Sequence, residues 1–133
     1  MIHIVDDDRY VRESTRFLLH GRGFVTETYS SGVAFLQTSS LKGTCVILDL
    51  RMPGMSGLEV QAMLLELQVE LPVILISGHG DREVADQAMR LGAVAYLEKP
   101  YEERDLLAAI EMAKSPPYVL TEERLVELEL AGA

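Results

Sequence analysis

The chain has one cysteine, Cys45, so no intrachain disulfide can form and a reducing compartment, most simply the cytoplasm, is the expected setting. Long hydrophobic runs are also missing. The longest reach four or five residues, whereas a membrane-spanning helix needs roughly 20, so no membrane association is expected. No basic opening followed by an apolar core begins the sequence, which argues against a secretory leader; Met1 leads straight into a strand pattern. Basic residues are scarce, with 12 Lys and Arg against 21 Asp and Glu and a net charge of −9. A surface this acidic repels phosphate backbones, so these residues are not expected to grip nucleic acid. There is no internal repeat and no low-complexity tract.

What is present describes a small globular domain. At 133 residues the chain is long enough to bury a core without a disulfide or metal staple. Five short apolar runs, Ile2–Val5, Val25–Tyr29, Cys45–Leu48, Val73–Ile76 and Val94–Leu97, read as strands. Five amphipathic stretches alternate with them. Their buried faces are expected to carry Val11, Thr15, Leu18 and Leu19 in the first and Leu58, Ala62 and Leu65 in the third. In the fourth the face is Val84, Ala85, Ala88 and Met89, and in the fifth Leu106, Leu107, Ile110 and Ala113. The second, Ser31–Leu36, is short.

Strict alternation of strand and helix implies a parallel sheet covered on both faces. The third and fourth strands are apolar throughout, as central strands must be, whereas Val25–Tyr29 alternates like an edge strand and the fifth suits the opposite edge. The expected architecture is α/β, flavodoxin-like (βα)5, with strand order 2-1-3-4-5. Ser115-Pro116-Pro117 ends the fifth helix. The division expected is one domain over 1–114 and a linker or short helical tail over 115–133.

Polar residues gather where four strands end. The first runs into Asp6-Asp7-Asp8, the third into Asp49, the fourth into Ser77, and the fifth into Glu98-Lys99-Pro100. Open parallel sheets place their sites at the carboxyl ends of strands, beside the reversal of strand order, here between strands 1 and 3. That brings Asp6 and Asp7 against Asp49, with Ser77 and Lys99 on the far side. Carboxylates that meet either take up protons or are neutralised by a cation, and an all-oxygen set selects a hard ion such as Mg2+. A hydroxyl and an ammonium opposite the metal suit a transferring phosphoryl group, and an aspartate carboxylate can be its acceptor.

These residues resemble the receiver domains of two-component response regulators over Ile2 to about Lys114. The resemblance rests on Val5-Asp6-Asp7-Asp8, on Leu48-Asp49-Leu50-Arg51-Met52-Pro53-Gly54-Met55-Ser56-Gly57, on Ile76-Ser77-Gly78-His79 and on Glu98-Lys99-Pro100, in that order and spacing. It implies that Asp49 accepts a phosphoryl group from a sensor histidine kinase. Asp7, Asp49 and the backbone carbonyl of Arg51 would ligate Mg2+, with Asp6 acting mainly through water. Lys99 and Ser77 would each hold a phosphoryl oxygen, Tyr96 would be the aromatic that turns on phosphorylation, and Lys99-Pro100 would be cis. Arg51 and His79, each two residues past a site residue, are candidates for tuning dephosphorylation. The resemblance further implies a homodimer face built from the fourth helix, fifth strand and fifth helix. Its loop motifs look like those of receivers that precede a helix-turn-helix domain, pointing to transcriptional control.

Two other readings compete. A receiver of this kind can serve as a phosphorelay carrier. An aspartate-nucleophile phosphatase would open with Asp6-x-Asp8, but that leaves Asp49 idle and puts Tyr10 where a threonine is expected. Asp8 is instead expected to cap the first helix, and His3 to pack within the sheet.

Overall fold

The computed structural model describes residues 1–38, 40–78 and 80–114. Five parallel strands, β1 (Ile2–Val5), β2 (Thr26–Tyr29), β3 (Cys45–Asp49), β4 (Val73–Ser77) and β5 (Ala95–Glu98), form one sheet in the order β2-β1-β3-β4-β5. Every residue of β1, β3 and β4 is buried, whereas β2 and β5 are edges with partly wet faces. The expected topology is the one found. The strand ends differ by a residue, because pairing extends into Asp49, Ser77 and Glu98, which occupy the last ladder positions rather than the loops beyond them.

Alternation along the strands divides the core in two. Ile2, Ile4, Cys45, Ile47, Ile74 and Ile76 face α1 (Arg9–Gly21) and α5 (Glu103–Lys114), meeting Leu19, Leu106, Ala109 and Ile110. Val5, Val46, Leu48, Val73 and Leu75 face α2 (Gly32–Leu36), α3 (Gly57–Glu66) and α4 (Arg82–Arg90), meeting Phe35, Val60, Leu64 and Ala88. His3 lies wholly buried in this second layer. One ring nitrogen, Nε2, lies 2.8 Å from the Lys42 carbonyl, which can only accept, so Nε2 carries the proton and Nδ1 accepts from the Tyr29 hydroxyl at 3.0 Å.

The face of α3 corrects the sequence reading. Gly57, Val60, Gln61 and Leu64 are buried, whereas Ala62 is exposed and Leu58 and Leu65 only half-buried. This helix carries apolar residues on most of its circumference, so its period alone does not choose a face, and docking onto the sheet does. Gly57 is the point of closest approach: its N–H donates to the Leu50 carbonyl at 2.9 Å, and a Cβ there would sit 2.5 Å from the Asp49 carbonyl oxygen. The helical tail expected over 115–133 lies outside the described residues.

Candidate functional site

The carboxyl ends of β1, β3, β4 and β5 meet at one edge of the sheet. Asp6 directly follows β1, and its backbone N–H bonds to the Tyr29 carbonyl of β2. Its Oδ1 accepts the Asp8 N–H at 2.9 Å, and its carbonyl accepts from Arg12 at 2.7 Å. Asp49 ends β3, with the Leu50 N–H locked onto the Ile76 carbonyl of β4 at 2.8 Å. Asp6 and Asp49 are buried, whereas Asp7 between them is open to solvent. One carboxylate oxygen from each of the three lies within 4.8 Å of the others.

Lys99 closes the opposite side. Its backbone N–H bonds to the Ser77 carbonyl at 2.9 Å, and the Lys99-Pro100 bond is cis. Its Nζ stands 3.7 Å from Asp6 Oδ2 and 3.8 Å from Asp49 Oδ1, one ammonium shared by two buried carboxylates. One cation does not compensate the cluster. Burial first, and then the neighbouring Asp6 charge, push the Asp49 carboxyl up to about 6, against the pull of Lys99. Burial raises Asp6 as well, offset in part by the Asp8 N–H and Lys99. A deficit of positive charge among hard oxygen ligands, open on the Asp7 side, fits a small divalent cation such as Mg2+.

Ser77 is buried at the last position of β4, in register with Glu98. Tyr96 is half-buried on β5, in register with Leu75 and packed against the core layer under α2, α3 and α4. The Arg51 N–H points to Asp49 Oδ1 at 3.4 Å. The structure therefore brings Asp6, Asp7, Asp49 and Lys99 together directly and places Ser77 and Arg51 on the adjoining strand end and loop. Asp8 is the N-cap of α1, accepting from the Tyr10 and Val11 N–H groups as expected. The capping bonds give this carboxylate a structural use at the start of α1. His79 lies outside the described residues.

Sequence reasoning missed Asp81. It sits next to α4, 30 residues from Arg51, yet its carboxylate is buried and takes the Arg51 guanidinium at 2.6 Å. An aspartate before a helical pattern reads as a cap, and only the fold shows otherwise.

A family profile described as the response regulator receiver domain matches residues 2–111. The chain belongs to that family. Among curated proteins this receiver is similar to the response regulator protein TmoT of Ectopseudomonas mendocina, 46% identical over 114 residues, covering 85% of this chain and 52% of that protein. The transcriptional regulatory protein FixJ of Rhizobium meliloti is 42% identical over 113 residues, covering 84% of this chain and 55% of FixJ. The chain thus spans about half the length of the curated relatives it matches. Among solved structures, the crystal structure of FixJ-N superimposes with a TM-score of 0.82 at 41% identity, covering 90% of this receiver and 96% of that chain.

Proposed function

We propose that this receiver is a phosphorylation-activated switch in which Asp49 accepts a phosphoryl group from a sensor histidine kinase and the altered surface controls an output in transcription. The observation that carries this reading is the buried Asp6–Asp49 pair sharing Lys99, with Asp7 completing an acidic cluster that could hold a cation. Mg2+ held by Asp7, Asp49 and the Arg51 carbonyl, with Asp6 through water, would neutralise charge on the phosphoryl oxygens. The Asp49 carboxylate attacks phosphorus in line, the bond from phosphorus to the kinase imidazole nitrogen breaks, and an acyl phosphate forms. Lys99 Nζ takes one phosphoryl oxygen and the Ser77 hydroxyl another. Hydrolysis by water returns Asp49, so the receiver catalyses only its own acceptance and loss of phosphate and is no enzyme toward other substrates.

The reading extends to residues 1–114 as the phosphoacceptor unit and 115–133 as linker or tail, working in the cytoplasm, where kinase and ATP are at hand. Relatives with names such as transcriptional regulatory protein support an output in gene control, with no nucleic acid gripped by these acidic residues themselves. The test is intact mass after incubation with a small acyl phosphate, with and without Mg2+. One added phosphoryl mass is expected on the wild type, requiring the cation and absent in Asp49→Asn. Labelling of Asp49→Asn, or in excess chelator, overturns the assignment. Turnover of phosphomonoesters would return the phosphatase reading.

A further inference from the structure

Arg51 is fastened at two points. Its backbone N–H reaches the Asp49 carboxylate at 3.4 Å, and its side chain reaches Asp81 through Nε at 2.6 Å and through a second guanidinium nitrogen at 2.5 Å. The two ends of this ion pair are unlike. The Arg51 side chain is 73% exposed, but that of Asp81 is 5% exposed, so the carboxylate is anchored in the fold and the arginine comes to it. Asp81 immediately precedes α4, where an aspartate ordinarily caps the helix, yet its side chain makes no capping bond. The carboxylate accepts instead from the Arg51 guanidinium, which chiefly holds it below the usual carboxylate range, and from the Gly78 N–H. Its backbone carbonyl still takes the Ala85 N–H at 2.9 Å, so Asp81 belongs to the first turn of α4. A favourable cap has been given up for a link across the site.

We infer that Asp81 is a positioning residue for the cation site: through its ion pair with Arg51 it holds the loop after β3 so that the Arg51 carbonyl faces the carboxylate cluster. This rests on the reading of Asp6, Asp7, Asp49 and the Arg51 carbonyl as the Mg2+ site. A carbonyl has no charge to draw it to a metal, so its place depends on what fixes its peptide, and residues that brace metal ligands commonly matter about as much as the ligands. The same link ties the cation to the first turn of α4, so metal arrival is felt there by a route independent of Ser77.

Charge alone and positioning give different signs at Arg51, which makes the inference testable with Mg2+ as the only ligand. Arg51→Gln removes a positive charge near the cluster, and by electrostatics alone tightens Mg2+. Asp81→Asn removes a negative charge, and by electrostatics alone weakens it. Positioning requires both to weaken it, by about tenfold, and requires the double variant to lose no more than either single one, since each breaks the same link. Calorimetric titration, with amide exchange of residues 82–86 alongside, reads both. Arg51→Lys, which keeps a cation for Asp81, should recover most of the affinity. The exposure of Arg51 makes its variants safe to fold even where Asp81→Asn is not. Shifts of opposite sign, unchanged affinities, or full additivity overturn the inference while leaving the cation site intact. A wild-type protein that binds no Mg2+ overturns the underlying site instead.

Discussion

At the scale of single residues, the acidic cluster carries a cost in the metal-free protein. With an ordinary carboxyl value of 3.8 in the unfolded chain and one pushed up to about 6 in the fold, the metal-free protein loses stability as pH rises between those two values. The unfolded state gives up the Asp49 proton first. Below about pH 4 both states hold the proton and the penalty vanishes; above about pH 6 it is complete, on the order of 1–3 kcal/mol once solvent access from the Asp7 side is allowed for. Asp49→Asn should therefore melt higher than wild type at pH 7.5 in chelator, with the gap closing toward pH 4. Thermal melts across that range decide, and a gap independent of pH would show that the Asp49 carboxyl is not raised in the fold. Asp7 and Asp8, adjacent in sequence, should separate cleanly. Asp7→Asn is expected to weaken Mg2+ binding by an order of magnitude or more, as loss of a charged ligand does. Asp8→Ala is expected chiefly to cost about 1 kcal/mol of stability as α1 loses its cap. Calorimetry and melts on the pair measure both, and equal losses of metal affinity would mean that the roles are wrongly divided. These assignments were legible because side chains at strand ends have their direction set by the strand itself. The Arg51–Asp81 pair was not, since it depends on how two loops fold over each other.

At the scale of elements, the sheet order was legible because the third and fourth strands read as apolar on both faces and Val25–Tyr29 does not, a distinction burial imposes directly. The helix faces were legible only where one side is polar. In α1 and α4 the expected residues are buried or half-buried. In α3, Leu58, Met63 and Leu65 compete with Val60 and Leu64, and the winner is set by the contact of its first turn with β3. Gly57 marks that contact. Alanine normally favours a helix over glycine by about 1 kcal/mol, so Gly57→Ala looks stabilising from sequence. Here the added methyl meets backbone, the Asp49 carbonyl oxygen at 2.5 Å and the Leu50 Cα at 2.8 Å, and neither can swing aside. The variant should be destabilised by about 1–3 kcal/mol and should also weaken Mg2+ binding, because α3 can relieve the clash only by displacing the end of β3. Denaturant melts with a metal titration test this; a more stable variant with wild-type affinity would show that the approach is not tight.

At the scale of the whole molecule, the site and its distant surface share one core layer. Ser77 follows Leu75 by two residues on β4 and so points to the same side of the sheet, the side against which Tyr96, the register partner of Leu75, is packed with Val84 and Met89 of α4. On the proposed reading, a phosphoryl group that draws the Ser77 hydroxyl toward Asp49 would pull on the loop entering α4. The space so opened would lie beside the half-buried ring of Tyr96 on the edge strand β5. Close packing offers such a layer few intermediate arrangements, so a small displacement at the site would become a change between two states of the surface formed by α4, β5 and α5. The phosphoryl group can move that balance only by its difference in interaction with the two, about 1–3 kcal/mol for couplings of this kind. Phosphorylation is therefore expected to change amide exchange in α4 and β5 and to promote homodimers through that face in sedimentation. Ser77→Ala should still accept phosphate on Asp49 but respond several-fold less, and Tyr96→Ala should respond in α4 without dimerising. Identical exchange in α4 and β5 with and without phosphate would make the protein a carrier in a phosphorelay, with acceptance intact and nothing on its surface for an output domain to read.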